Sequence, residues 1–327
     1  LRFLFWYCGA VLGPLLNLLS LQKFHNVNHC DHTEFWKVDM KRIAIALAAV
    51  AIAMGTVGCS ASDDRVGNIV RIGTTEAGKD SWDVFVEEAG KAGIKLVTTN
   101  FTDYSQPNVA LTQKQIDVNL FQHLRFLGEY NVADNANLAP VGATYIVPLG
   151  LYSQKHKLIA DIPQGGQIAI PNDPPNQARA LFVLKAAGLI ALKGGRTTPS
   201  VADIDKGTSR VTVTLVDAAQ TALSLKSTDG AVINNTYLAQ SNIDPKSALY
   251  ADDPASPGAE PYINVIVARD EDKDNPTYQK LVDVFHSPAV TEAYAKESKG
   301  TQLTVTKSGQ DCASILARIE QQIRAEK

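Results

Sequence analysis

Residues 169–184 read AIPNDPPNQARALFVL: an apolar, strand-like run, a turn crowded with Asn, Asp and Pro, and a helix carrying a lone arginine one turn inside its start. Asp173-Pro174-Pro175 stops the strand, and proline is tolerated in a helix's first turn because its missing N–H would have no partner there. A strand that runs directly into a helix start is the repeating unit of an α/β fold. The helix N-terminus then faces the strand end with free N–H groups and a partial positive charge, a natural seat for an anion. Asn176 and Arg179 lie three apart on one helix face. Arg179 can take a carboxylate bidentately while Asn176 adds a donor or acceptor. The competing assignment gives Arg179 a surface salt bridge and makes Asn176 a cap.

The same alternation extends on both sides. NIVRIGT (68–74) reads as a strand, SWDVFVEEAGKAG (81–93) as an amphipathic helix closed by Gly93, and IKLVTTNF (94–101) as the next strand. NVALTQKQ (108–115) is a short helix before the strand IDVNLFQ (116–122). After a hinge-like segment, ATYIVPLGLYS (143–153), come QIAIPN, the helix NQARALFVLKAAG (176–188), VTVTLVD and AVINN. Beyond the loop DDPASPGAEP (252–261), YINVIVARD returns toward the first unit and is followed by two helices and a terminal one. The pattern predicts mainly parallel sheets with helices on their faces. It divides the chain into one lobe at 66–147 plus 260–327 and another at 148–259. Two crossings between lobes imply a cleft with a hinge.

The N-terminus is of another character. LRFLFWYCGAVLGPLLNLLSLQ (1–22) is apolar and aromatic, and IAIALAAVAIAM (43–54) is a second apolar run. Met40-Lys41-Arg42 supplies a start and a positive n-region, Ile43–Met54 an h-region, and Thr56-Val57-Gly58-Cys59 a small-residue junction. The expectation is a signal peptide over 40–58, with residues 1–39 an upstream extension foreign to the exported protein. The rival is a membrane helix over Phe3–Leu21, nearly long enough to span. VGCS (57–60) resembles a bacterial lipobox, in which the cysteine is acylated and becomes the new N-terminus; the competing form is an ordinary signal peptide with a coincidental Cys59. SASDDRVGN is polar and small, so 59–65 reads as a flexible tether.

Composition limits the function. The chain has 327 residues, 45% hydrophobic and 20% charged, with net charge −3. Residues 1–58 hold five basic and three acidic residues, so a product from Cys59 keeps 26 basic against 31 acidic and carries −5. That balance argues against a nucleic-acid partner. Of four cysteines, Cys59 and Cys312 remain in such a product. Cys312 falls in a terminal helix whose Ile315, Leu316, Ile319 and Ile323 mark one face, so it is structural or idle.

Several motif-like strings carry less than they promise. GTTEAGKD (73–80) follows a strand and matches G-x-x-x-x-G-K, but Asp80 stands where a hydroxyl should reach Mg²⁺ and would repel phosphate. The string reads instead as a polar turn whose Asp80 or Ser81 caps the next helix. HNVNHCDH (25–32) has metal-ligand-like spacing but lies inside the upstream extension. Asn234-Asn235-Thr236 is formally a glycosylation sequon and reads as a strand-end turn. No G-x-S-x-G or H-E-x-x-H signature occurs. The expectation is a binding protein without catalytic residues, metal or cofactor; a periplasmic-type α/β enzyme would need an acid/base pair beside His123.

FTDYSQPNVAL (101–111), IDVNLFQH (116–123), AIPNDPPNQARAL (169–181), AGLIAL (187–192), AVINNTY (231–237) and PYINVIVARDEDKD (261–274) stand in the order and spacing of the NlpA-type lipoproteins. The chain resembles this family of methionine-binding, lipid-anchored receptors of bacterial ABC importers. The resemblance implies a two-lobed α/β periplasmic-binding-protein fold of type II-like form, with a ligand cleft and two hinge crossings. It implies that Arg179 holds the ligand carboxylate with Asn176 beside it, that Asn234 contacts the ligand's amino acid group, and that Tyr104, Phe121 and His123 wall its side chain. Tyr145 is a further candidate near the hinge. The implied ligand is L-methionine, with another apolar amino acid or a short methionine-containing peptide as alternatives. A thioether suits aromatic edges, and a desolvated zwitterion needs polar partners. The implied partners are the permease and ATPase subunits of an importer and, through Cys59, the extracytoplasmic face of the cell membrane. Two departures lie near the cleft. Val147-Pro148 replaces the tyrosine-proline common in the family, and TTEAGKDSW differs from its glycine-proline turn.

Overall fold

The computed structural model describes residues 68–326. The upstream extension 1–39, its metal-like cluster, the signal peptide 40–58, Cys59 and the tether 59–65 lie outside the described residues. In chain order the strands are β1 (Asn68–Thr74), β2 (Ile94–Asn100), β3 (Val118–His123), β4 (Leu138–Ala143), β5 (Tyr145–Ile146), β6 (Gly150–Tyr152), β7 (Gln167–Pro171), β8 (Thr212–Val216), β9 (Gly230–Ile233), β10 (Tyr250–Ala251), β11 (Asn264–Arg269) and β12 (Leu303–Thr304). They build two five-stranded sheets, β2-β1-β3-β11-β4 and β10-β6-β9-β7-β8, plus the small pair β12-β5. The fold is an α/β periplasmic-binding-protein type with two lobes. The chain passes from the first sheet to the second between β5 and β6 and returns between β10 and β11.

The sheets are mixed. β1 runs parallel to β2 and β3, and β7 runs parallel to β8 and β9. β11 lies antiparallel to both neighbours, as do β6 and β10 to theirs. The antiparallel strands are those that flank the crossings, where a returning chain enters its sheet from the opposite end.

Helices cover the sheets as the apolar spacing requires. Asp80–Lys91 buries Trp82, Phe85 and Ala89. Phe85 meets the edge of Phe285 with centroids 5.5 Å apart, and each such ring contributes roughly 1.5–3 kcal/mol by leaving water. This helix start is not capped by Asp80 or Ser81, as the sequence led one to expect. The cap position falls on Lys79, which makes no side-chain capping bond, and Ser81 donates from its backbone N (3.2 Å) and Oγ (2.7 Å) to Oε2 of Glu297. A carboxylate from a distant helix thus does the capping.

One helix escapes the periodicity altogether. Leu124–Asp134 follows β3 directly, capped by the ring of His123, whose Nδ1 accepts from the backbone N of Phe126 at 3.1 Å. Its interior Gly128 lets the terminal helix Gly309–Glu326 approach: a Cβ there would stand 2.8 Å from Cγ2 of Ile319. The terminal helix buries Cys312, Ile315, Leu316, Ile319 and Ile323, and burial pushes the Cys312 thiol up to about 12. No helix among the described residues is long and apolar enough to cross a membrane.

Candidate functional site

Ligands of open α/β sheets bind beyond the carboxyl ends of the parallel strands. Four such ends converge here. β1 leads into Glu76, β3 ends on Phe121-Gln122-His123, β7 leads through Asp173 into the helix Pro174–Ala186, and β9 ends beside Asn234. Tyr104, Phe121, His123, Tyr145, Asn176, Arg179 and Asn234, spread over 131 positions, all line one cavity between the two sheets. The cavity is narrow, about 30 Å³. It holds one or two waters at most, so its walls must part to admit an amino acid.

The polar wall is a chain of amides. Asp173 caps the helix, its Oδ1 accepting from the backbone N (3.0 Å) and Nδ2 (2.7 Å) of Asn176. The helix N-terminus is thus filled by the chain's own carboxylate, where the sequence predicted free N–H groups awaiting an anion. Burial raises the Asp173 carboxyl to about 6. Asn176 Oδ1 in turn accepts from Asn234 Nδ2 at 2.8 Å and faces Nε2 of His123 at 3.5 Å. The Nδ1 of His123 is an acceptor, so Nε2 carries the proton of the neutral ring. Burial, reinforced by the Arg179 guanidinium, lowers His123 to about 3. Asn234 is 9% exposed, and its Oδ1 is buried with no hydrogen-bond partner. A buried orphan acceptor costs about 1–3 kcal/mol.

Arg179 is 4% exposed and already engaged. Its Nε donates to Asp252 Oδ2 at 2.7 Å, and its Nη2 to Asp252 Oδ1 at 3.1 Å and to the carbonyl of Val147 at 2.8 Å. The guanidinium carbon sits 4.2 Å from the ring centroid of Tyr262. The fork that sequence reasoning reserves for a ligand carboxylate is therefore filled by Asp252, and neither a surface salt bridge nor a free clamp describes it.

The apolar wall is aromatic. Tyr104 and Phe121 have centroids 6.0 Å apart, Phe121 and Phe126 5.5 Å, and Tyr104 and Phe126 6.0 Å. Tyr145 stacks on Phe285 at 5.8 Å and donates its hydroxyl to Glu76 Oε2 at 3.2 Å. Burial and the Glu76 carboxylate hold that phenol well above its ordinary range.

Sequence reasoning missed several wall residues: Glu76, Gln122, Phe126, Asn235, Thr236 and Asn264. Gln122 was legible only as part of a strand; its amide closes a buried triad with Asn108 and Asn119 that ties the helix Pro107–Thr112 to β3. Glu76 sits in the turn that resembles a phosphate loop. The lysine of that string, Lys79, pairs with Glu76 at 2.9 Å and stands 3.6 Å from Glu297, so it is not free for phosphate. Among the described residues no cluster of His, Cys, Asp and Glu could hold a metal ion.

A two-lobed α/β fold with an amide-and-aromatic cavity between its sheets belongs to the class of substrate-binding proteins. Residues 70–306 match the model of the NlpA lipoprotein family, and the chain belongs to that family. It is 32% identical over 261 residues to the D-methionine-binding lipoprotein MetQ of Escherichia coli K12, covering 78% of this chain and 94% of that one. Among solved structures, a nutrient-binding protein from Burkholderia cenocepacia bound to methionine is 36% identical with a TM-score of 0.68, covering 72% of this chain and 99% of that one. The substrate-binding protein of a methionine transporter from Streptococcus pneumoniae is 35% identical with a TM-score of 0.67, covering 72% and 95%. The chain is thus a substrate-binding protein of the ABC-importer family to which MetQ belongs.

Proposed function

We propose that this protein captures methionine for an ABC importer, as a lipid-anchored receptor on the extracytoplasmic face of the membrane. The observation that carries the reading is the orphan acceptor: Asn234, whose Oδ1 is buried and unpartnered, lines the same cavity as Tyr104, Phe121 and Phe126. A free amino acid brings an ammonium to the first and an apolar side chain to the second, and a thioether packs well against ring edges. Asn176, Asn234 and Arg179 take the amino acid group, and the segments 66–147 plus 260–327 and 148–259 close on it as lobes. Cys59 carries the acyl anchor, and the permease and ATPase subunits of the importer are the partners. Relatives and solved neighbours named for methionine support this choice of ligand.

The test is isothermal titration of protein refolded from denaturant, which removes carried-over ligand, with L- and D-methionine and then the remaining amino acids. Saturable heat with a methionine enantiomer and a melting shift that grows with its concentration are expected; ligand at a hundred times its Kd adds about 2.7 kcal/mol to stability. Silence with methionine and response to another amino acid would replace the ligand while keeping the receptor.

A further inference from the structure

The stretch of chain between the two crossings builds the second sheet, and away from the ligand cavity polar side chains tie it to the rest of the molecule at two places. At the first, Lys299 Nζ donates to Asp244 Oδ2 at 2.8 Å. At the second, Glu326 of the terminal helix accepts at Oε1 from the backbone N (2.7 Å) and Oγ1 (2.6 Å) of Thr197, and at Oε2 from the backbone N of Thr198 at 3.2 Å. Arg125 Nη2 donates to Oγ1 of the same Thr198. Asp244, Thr197 and Thr198 lie between the crossings, whereas Lys299, Glu326 and Arg125 lie outside them. The two ties border different neighbours of the ligand cavity. Lys299 and Asp244 line a cavity of about 310 Å³ that shares Asn235 with it, and Thr197 and Arg125 line one of about 490 Å³ that shares Arg179.

We propose that Lys299 and Glu326 are closure clasps, whose bonds form only when the two lobes meet and must break before a bound ligand leaves. Neither residue lines the ligand cavity, so both act as positioning residues. The backbone at Lys299 agrees with such a role. It follows Ser298, the C-cap of the helix Pro288–Glu297, and stands at φ 51°, a left-handed position where helices favour glycine. A glycine there would relieve the backbone and lose the ammonium that reaches Asp244. At the other tie, one carboxylate gathers two backbone N–H groups and a hydroxyl from a loop that has no strand or helix of its own. Opening about the crossings separates both pairs and leaves each sheet intact. Exposed pairs add little to folding, but a two-state lobe equilibrium responds to small differences, and apparent affinity falls with the fraction of molecules in the binding-competent state. The inference rests on the receptor reading above for what closure retains.

The experiment compares wild type, Lys299→Ala, Glu326→Ala and the double variant by release of radiolabelled L-methionine and by small-angle X-ray scattering without ligand. Lys299→Ala should speed release by roughly two- to fivefold, as befits an exposed ion pair. Glu326→Ala, which removes three charge-assisted bonds, should speed it by roughly five- to twentyfold. The ligand-free double variant should have a larger radius of gyration than wild type, and saturating methionine should restore it. The Lys299–Asp244 pair is exposed on both sides (51% and 46%), so raising salt from about 0.05 M to about 0.5 M should speed release from wild type more than from Lys299→Ala. Should Lys299→Ala fail to fold, Asp244→Asn, which keeps the cap on Lys246 N, should show the same faster release. Variants that melt at a lower temperature yet release methionine at the wild-type rate would be merely structural, and the clasps would be overturned. If wild type binds none of the free amino acids, the receptor reading fails, and scattering alone decides: a larger double variant upholds the clasps and an unchanged radius overturns them.

Discussion

Replacing Arg179 by alanine should destabilise the ligand-free protein as well as abolish binding. The guanidinium makes two bonds to Asp252, one to the Val147 carbonyl and a ring contact with Tyr262. Two unit charges about 4 Å apart attract by about 4 kcal/mol at an effective dielectric of 20. The Asp252 side chain is 29% exposed and still accepts from Leu149 N at 2.7 Å, so water and that bond recover part of the loss. The stacking over Tyr262 adds about 0.5–2 kcal/mol. A net loss of about 2–3 kcal/mol follows, or roughly 4–12 °C in Tm for a domain of this size. Urea and thermal melts of ligand-free wild type, Arg179→Ala and Arg179→Lys supply the measurement. Lysine keeps the charge without the fork and should fall between the two. An Arg179→Ala protein that melts with the wild type while losing methionine would mean that the Asp252 pair contributes nothing and that the arginine is held free for ligand.

Asn234→Ala removes the orphan Oδ1 together with one bond to Asn176; ligand-free stability should change by less than about 1 kcal/mol, while binding measured by titration weakens by about 1–3 kcal/mol. His123 titrates near 3 when folded and near 6.5 when unfolded, so its depressed value contributes stability above pH 6.5 that is lost as pH falls toward 3. Urea melts of wild type and His123→Asn, which retains a capping acceptor, should therefore show the wild type losing ground below pH 6, by up to about 1.4 kcal/mol per pH unit; parallel pH curves would contradict a neutral buried ring. Asp173, raised to about 6, acts in the opposite sense, adding stability as pH falls from 6 toward 4, and flattens the wild-type curve. Cys312, fully buried with its thiol near 12, should resist iodoacetamide in a chain beginning at Ser60 until denaturant unfolds it, as read by mass. Cys59→Ala should move the expressed protein from the membrane to the soluble fraction.

How much of this was legible depended on whether a residue's role is local. The strand-turn-helix at 169–184 could be read because Asp173, Pro174 and Pro175 act on their own backbone, and the amphipathic helix at Asp80–Lys91 because its apolar residues repeat. The helix Leu124–Asp134 could not. Its cap is an imidazole where Ser, Thr, Asp or Asn is usual, its apolar face is interrupted by Gly128, and Arg125 and Asn131 are buried among its contacts. The identity of the cavity walls came from motifs in register, since nothing local distinguishes Tyr104 or Phe121 from core residues. Two contacts that the sequence did not reveal come from carboxylates elsewhere in the chain. Asp252, 73 residues from Arg179, fills the fork, and Glu297, 216 residues from Ser81, caps a helix. A sequence window shows an arginine but not which acid has already reached it.

Where Arg179 sits explains why its engagement matters beyond the ligand. Val147 precedes β6 on the first crossing between sheets, and Asp252 follows β10 at the start of the second. One guanidinium binds both, and Asp252 Oδ1 also accepts from the backbone N of Leu149, lacing the crossings to each other. On the proposed function, a ligand carboxylate that competes with Asp252 for the fork acts between the two crossings. Its attraction to the arginine must exceed that of an anion already in place, so affinity reports a difference between two carboxylates and not the full strength of one. The exchange would then bear on the two connecting segments in which Val147 and Asp252 stand. Asp252→Asn separates these contributions: a weaker competitor should tighten methionine binding, while loss of the Leu149–Asp252–Arg179 lacing should lower the melting temperature of the ligand-free protein. Tighter binding together with a lower Tm is the expected pair. Weaker binding in a protein that still folds would show that Asp252 aligns the guanidinium for the ligand and does not compete with it.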